Sequence, residues 1–279
     1  MKSILETIQS RSSRRTYKPE QLSDKILKEI NNVLQNCPPG PFKSESAFKL
    51  IHKSDANNQR IKLGTYGFIS GAQYFIAGKI VPEPDAFVDF GYRMEWIILQ
   101  LTALGLGSCW LGGTFTRGEF SKLLKPDAHE VIPAVTPVGL TPDKRSLRDR
   151  LIRLGAGSKN RKLIEALFFD TKFNQPLINL NNTEATVLEM VRLAPSASNK
   201  QPWRIVRKDN FFHFYLQRTP GYGPKSGGTD LQKVDLGIAI CHFDLAAQEL
   251  GWKGVWSQIT TGIAMPEYVE YIISWEIDD

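Results

Sequence analysis

Two long apolar segments of the chain, 89–110 and 235–256, share one pattern of hydrophobic and polar positions and align without gaps. The identical pairs include Asp89 and Asp235, Gly91 and Gly237, Leu104 and Leu250, Gly105 and Gly251, and Trp110 and Trp256. In each copy, mainly apolar residues over about four turns predict a largely buried helix. A Leu-Gly pair predicts a left-handed helix end, and a short strand that carries the Trp follows. The Asp is predicted to cap the helix or to oppose its dipole.

A weaker match lies upstream of each apolar segment. Residues 27–38 resemble 184–195, since each is an amphipathic pattern that runs into a proline-containing turn. A predicted strand follows each turn, at Ala47–His52 and at Trp203–Lys208. The same order of elements twice predicts a duplicated α+β unit. The alternative is chance similarity between apolar helices that end in glycine, which the gap-free alignment makes less favoured.

Turn signals place the join between the two copies near 155–182. Residues 155–160 (Gly-Ala-Gly-Ser-Lys-Asn) and 174–183 are rich in residues that form loops and turns. We therefore divide the chain into a first half, 1–160, and a second half, 161–279.

The composition indicates a globular chain without disulfides or metal. Its 279 residues are 42% hydrophobic, which is enough for a buried core. No stretch reaches the roughly 18 to 20 apolar residues of a membrane helix, and no signal-peptide pattern opens the chain, so we expect no membrane partner. The three cysteines are odd in number and widely spaced, which fits a reducing cytoplasm. The four histidines are scattered, so we expect no metal site.

The formal net charge of +6 leaves three interpretations open. It fits a solvated basic surface, a ligand that carries phosphate, or a nucleic acid. The basic residues cluster at 11–18 and 144–162, and neither cluster has the interleaved aromatic residues of a single-strand binder. We therefore expect no nucleic-acid partner.

Two basic motifs are candidates for binding a phosphate group. The first, 11–17 (Arg-Ser-Ser-Arg-Arg-Thr-Tyr), combines forked arginine donors with short serine hydroxyls. The second, 141–148, contains Lys144, Arg145 and Arg148 after an apolar strand pattern. The alternatives are an exposed basic arm for the first motif and a solvated basic turn for the second.

A neutral polar loop follows the second copy of the upstream helix. Residues 194–203 (Ala-Pro-Ser-Ala-Ser-Asn-Lys-Gln-Pro-Trp) offer Ser196, Ser198, Asn199 and Gln201 as donors and acceptors without charge. Such a set suits the edge of a heterocycle, for example a flavin pyrimidine ring. The alternative is an ordinary turn that leads into a core strand.

A glycine-rich segment, 105–113 (Gly-Leu-Gly-Ser-Cys-Trp-Leu-Gly-Gly), follows the first apolar helix. Gly112 and Gly113 would leave backbone N–H groups open to the close approach of a ligand, and the alternative is a simple bend at a strand end. The segment is not a dinucleotide fingerprint, because its Gly-x-Gly precedes a strand and does not open a helix. Cys109 is predicted to lie in the strand, packed and unreactive.

Together the four motifs resemble those of the FMN-dependent nitroreductase family. Residues 11–17 resemble its opening Arg-Arg-Ser-x-Arg-x-Phe/Tyr pattern, with Ser12 as a departure, and Lys144-Arg145 resembles its closing basic cluster. Residues 194–203 match Ala-Pro-Ser-x-x-Asn-x-Gln-Pro-Trp, and 105–113 match Gly-Leu-Gly-x-x-Trp-x-Gly-Gly. In the usual member, one shorter chain carries all four motifs and pairs with a copy of itself. Here the first half carries three of the four motifs and the second half carries the fourth. The corresponding segments of the opposite halves no longer match the motifs.

The resemblance implies an α+β fold: a nitroreductase-like mixed, mostly antiparallel sheet flanked by helices, duplicated within one chain as a pseudo-dimer. It implies one FMN per chain between two intertwined halves, and a monomer in place of the usual dimer. The implied enzyme activity is transfer of hydride from NAD(P)H, through flavin N5, to a nitroaromatic, quinone or similar small-molecule substrate. Because the flavin carries this chemistry, no catalytic side chain is required.

The resemblance also implies which residues contact FMN. Arg15 would lie near N1 and O2 of the flavin, and the backbone N–H of Gly112 or Gly113 would face N5. Arginine, lysine and serine side chains would hold the phosphate, and the neutral loop would line the pyrimidine edge. The full set is Arg11, Ser12, Ser13, Arg15, Leu111, Gly112, Gly113, Lys144, Arg145, Pro195, Ser196, Ala197 and Asn199. Two alternatives stay open: an FMN-binding carrier or sensor without turnover, and a basic scaffold without flavin that binds nucleic acid or a protein.

Overall fold

The computed structural model describes residues 2–58, 63–143, 160–223 and 228–278. The predicted phosphate ligands Lys144 and Arg145 therefore lie outside the described residues. Within the described part of the chain, no helix is both long and apolar enough to cross a membrane.

The first half of the chain builds an antiparallel sheet with helices packed against it. Its elements are α1 (Ile4–Ser10), α2 (Asp24–Gln35), β1 (Ala47–His52), α3 (Lys53–Asn58), β2 (Tyr74–Lys79), α4 (Pro84–Ala103), β3 (Gly107–Ser108), α5 (Arg117–Leu124) and β4 (Val135–Gly139). The strand order is β1-β2-β4-β3, and each of these pairings is antiparallel. The central strand β2 is buried along nearly its whole length, as a strand covered on both faces must be.

The second half of the chain builds its own sheet. Its elements are β5 (Phe168–Asp170), α6 (Asn182–Leu193), β6 (Trp203–Lys208), β7 (Phe211–Gln217), α7 (Leu231–Glu249), β8 (Gly254–Ser257) and β9 (Val269–Ile277), with 3₁₀ turns at Ile164–Ala166 and Ala197–Asn199. The strand order is β5-β6-β7-β9-β8, and only β5–β6 is parallel within it. The predicted strands β1 and β6 are confirmed. The short strand β5 lies in the segment where turn signals placed the join between the halves. It was not predicted, because three residues are too few for a periodic pattern.

The long helices α4 and α7 pack against each other through a reciprocal glycine contact. A Cβ atom at Gly91 would lie 2.1 Å from Val234 O, and one at Gly237 would lie 1.9 Å from Val88 O. Val88 and Val234 hold matching places just before the aligned segments, so each helix makes the same contact with the other. Such a self-complementary contact is the signature of a two-fold interface, here closed within one chain. One hydrophobic cluster spans both halves. The reciprocal helix contact, together with a sheet in each half, supports the predicted duplicated α+β unit.

We expect Gly237→Ala to destabilise the protein, because the added methyl group would collide with the Val88 carbonyl of the opposite helix. Overpacking of this kind costs about 1–3 kcal/mol, and a rigid backbone neighbour places the expected loss at the upper end. Urea-induced unfolding measures the change in the free energy of unfolding. Gly118→Ala is the matched control, since its Cβ meets open space. Equal stability of the two variants would contradict the close helix crossing.

Two local predictions need correction. Asp89 and Asp235 cap neither helix, because the N-cap positions of α4 and α7 belong to Glu83 and Asp230. The two carboxylates bind loops instead, as described below. In the first copy, Trp110 and Cys109 lie just beyond the two-residue strand β3, whereas Trp256 lies within β8 as predicted. The predicted left-handed helix ends are confirmed, with φ of 79° at Gly105 and 70° at Gly251.

Candidate functional site

A cavity of about 660 Å³ lies between residues of the two halves. All predicted site residues that the structure describes line its wall: Arg11, Ser12, Ser13, Arg15, Leu111, Gly112, Gly113, Pro195, Ser196, Ala197 and Asn199. Three motifs that are far apart in the sequence therefore converge. Cys109 is buried, as predicted, and also borders the cavity. Thr141, at the start of the fourth motif, lines a neighbouring cavity of about 260 Å³ together with Ser12.

Arg11 is held at the cavity wall by a buried carboxylate. Its Nε lies 3.5 Å from Oε1 of Glu95, and the two side chains are 6% and 0% exposed. Glu95 also accepts a hydrogen bond of 2.6 Å from the Trp110 indole N–H and lies 3.0 Å from Nε2 of His242. The Arg11 Nε–H nevertheless has no hydrogen-bond partner among the described residues. The Nε–H still faces Glu95, and the cationic guanidinium on the cavity wall suits an anionic ligand.

Hydrogen bonds hold the Gly112-Gly113 bend in place, and its backbone is open toward the cavity. The Arg117 guanidinium donates to Gly112 O at 2.8 Å and to Ile132 O at 3.2 Å. Leu111 exchanges two backbone hydrogen bonds with Val135, at 2.9 and 3.0 Å. A Cβ at Gly113 would meet no atom within 4 Å, although the residue lines the cavity. The backbone at Gly113 is therefore accessible to a ligand that approaches closely.

The neutral loop 194–201 has a strained backbone that several hydrogen bonds hold in place. Ser198, Asn199 and Gln201 have φ of 49°, 54° and 49°, in the left-handed region that non-glycine residues rarely adopt. The Gln201 N–H donates to the Ser196 hydroxyl at 2.9 Å. Arg161 donates to the Asn199 side-chain carbonyl at 2.8 Å, and the Asn199 amide donates to Asn160 O at 2.8 Å. Strain of this kind tends to gather at functional sites.

The cavity wall carries several cations and little negative charge. Arg11, Arg15, Arg117 and Arg161 line it, and Asp235 is the only carboxylate among its described residues. Burial raises the pKa of Asp235 well above its usual range, against the hydrogen bond from the Ala197 N–H, which lowers it. The wall therefore favours an anionic ligand.

Sequence reasoning missed several residues of the wall. Segments 53–88 and 219–230 showed no readable motif, yet they supply Phe68, Tyr222, Gly223 and Thr229. These residues lie on loops, whose sequence has no periodic pattern that would indicate their position. Further wall residues that were not predicted are Trp110, Thr114, Arg117, Arg161, Leu231, Val234, Asp235 and Ile238. For Asp235 the signal was present, because it is one of the identities of the internal repeat.

Comparison with known proteins places the chain in a family. Residues 3–247 match a family model described as "Putative TM nitroreductase". No curated protein matches the chain.

Solved structures are similar to all or part of the chain. A crystal structure described as a "putative nitroreductase" from Thermotoga maritima MSB8 is 21% identical, with a TM-score of 0.65, and the match covers 99% of this chain and 94% of that one. A nitroreductase with bound FMN from Desulfitobacterium hafniense DCB-2 is 22% identical, with a TM-score of 0.44, over 52% of this chain and 92% of its own. A nitroreductase family protein from Clostridium novyi NT is 20% identical, with a TM-score of 0.42, over 53% and 91%. The family match extends over nearly the whole chain, and the chain therefore belongs to this nitroreductase family.

Proposed function

We propose that the cavity binds one FMN per chain and that the protein is an FMN-dependent NAD(P)H oxidoreductase. One observation carries the proposal: three separate motifs, two from the first half and one from the second, meet on the wall of a single positively charged cavity. Its volume of about 660 Å³ lies within the usual range for small-molecule and cofactor sites. The bound FMN would supply two-electron hydride chemistry, which no side chain can perform.

Each part of the wall has a proposed task. Arg11 and Ser13 would hold the phosphate, and the place of the Arg11 guanidinium on the cavity wall supports that assignment. Arg15 would lie beside N1 and O2, where a cation stabilises negative charge. The N–H of Gly112 or Gly113 would face N5, in keeping with the open space in front of Gly113. Lys144 and Arg145, which lie outside the described residues, would complete the phosphate site.

The neutral loop would contact the pyrimidine edge of the flavin. Pro195, Ser196, Ala197 and Asn199 are the proposed contacts, and they come from the second half of the chain. Because one chain supplies both sides of the cavity, no second chain is needed, and we propose that the protein is a monomer.

We expect steady-state turnover to follow a ping-pong mechanism. NAD(P)H and a small acceptor, such as a nitroaromatic compound or a quinone, would occupy the same cavity in turn, so the oxidised nicotinamide must leave before the acceptor enters. Initial rates measured against NAD(P)H at several acceptor concentrations should give parallel double-reciprocal lines. Clearly intersecting lines would contradict a shared cavity. Flavin reduction without steady-state turnover would instead favour an FMN-binding carrier or sensor.

A further inference from the structure

The two aspartates of the internal repeat bind equivalent loops in the two halves. Asp89 accepts hydrogen bonds from the Phe42 and Ser44 N–H groups, at 3.1 and 2.7 Å. Asp235 accepts from the Ala197 N–H with both carboxylate oxygens, at 2.9 and 3.1 Å. The side chains hold the same place in the aligned segments, and the residues are 0% and 3% exposed. Each carboxylate thus ties the buried helix of its half to the loop that precedes the first long strand.

The two loops differ in what they face. Loop 194–201 lines the 660 Å³ cavity through residues 195–199, and Asp235 lines the cavity as well. Neither Asp89 nor any residue of the loop 36–44 lines that cavity. The backbone differs too: the cavity loop holds three non-glycine residues with positive φ, whereas Lys43 is the only one in 36–44. The strained loop needs outside support, because left-handed conformations of such residues are unfavourable by themselves.

We infer that Asp235 is a positioning residue, whose carboxylate holds loop 194–201 in the shape that receives the flavin. The inference rests on the proposed function. The Ala197 N–H that it binds lies between Ser196 and the strained Ser198, at the middle of the wall segment. A buried carboxyl group that accepts this N–H with both oxygens fixes the backbone before any ligand arrives. Asp89 performs the same structural task in the half whose loop lines no part of the cavity.

The matched pair Asp235→Ala and Asp89→Ala separates positioning from general stability. Both variants leave buried backbone N–H groups without their acceptor, so both should unfold at lower urea concentration than the parent protein. Only Asp235→Ala should weaken FMN binding, by roughly tenfold to a hundredfold, because the Ala197 N–H loses its acceptor. Asp235→Asn keeps one acceptor oxygen and should fall between Asp235→Ala and the parent. FMN affinity is measured by titrating apoprotein and following flavin fluorescence.

Amide hydrogen exchange of the apoprotein supplies a readout that does not depend on FMN. Asp235→Ala should raise exchange in peptides that cover 194–201, and Asp89→Ala should raise it in those that cover 36–44. Unchanged exchange at 194–201, or equal loss of FMN affinity in both Ala variants, would overturn the positioning role. A parent protein that binds no FMN would instead defeat the proposed function, and the exchange result would still decide whether Asp235 anchors the loop.

Discussion

Arg15→Ala should slow flavin reduction far more than it weakens FMN binding. The proposed place of Arg15 beside N1 and O2 makes its charge most valuable once reduction puts negative charge there. Loss of one preorganised electrostatic interaction of this kind costs about 2–4 kcal/mol of barrier, or roughly thirtyfold to almost a thousandfold in rate. The main chain should stay in place, because Arg15 O accepts the Ser70 N–H at 2.9 Å whatever the side chain is. Stopped-flow reduction by NAD(P)H measures the rate.

Two further variants make the Arg15 result specific. Arg14→Ala removes a neighbouring cation whose residue lines the smaller cavity and not the larger one, so its reduction rate should stay close to that of the parent. Arg15→Lys keeps the charge and should recover part of the rate. The assigned role is wrong if Arg15→Ala reduces its flavin as fast as the parent, or if Arg14→Ala is equally slow.

Gly113→Val should leave the protein folded but weaken FMN binding. The side chain would enter open space on the cavity wall, so it meets no protein atom near its Cβ. A bound flavin that approaches the Gly113 backbone would collide with it. An overpacking cost of about 1–3 kcal/mol corresponds to a roughly five- to 150-fold higher dissociation constant. Titration of the apoprotein with FMN measures the constant, and urea unfolding verifies that the variant is folded.

Gly118→Val is the control for this result. A Cβ at Gly118 also meets open space, but Gly118 lies in α5 and does not line the cavity. Its FMN affinity should equal that of the parent. Unchanged FMN affinity in Gly113→Val would show that FMN does not approach the Gly112-Gly113 bend.

The fold was predictable because local sequence patterns indicate its main helices and strands. The repeated apolar segments predicted α4 and α7, and Gly105 and Gly251 predicted how they end. What Asp89 and Asp235 bind was not predictable, because an aspartate early in a helix suggests a cap when only its own segment is visible. Their actual partners lie 38 or more residues away along the chain.

The cavity wall was predictable where glycines allow an unusual backbone or where charges cluster. Glycines that allow close approach and arginines near serines can be found without a structure. Phe68 and Tyr222 could not be found, because the loops that bring them to the cavity carry no pattern and depend on the packing of the whole chain. The buried Glu95 that holds Arg11 lies on a helix face that the sequence indicates only as apolar.

The central claim is one flavin site built between the two halves of a single chain. The most direct test is a titration of FMN into apoprotein of known concentration, with the mass of the complex measured by light scattering. We predict one FMN per chain, bound by a monomer of 31.5 kDa. Two equivalent FMN per chain, or FMN bound only by a dimer, would contradict it.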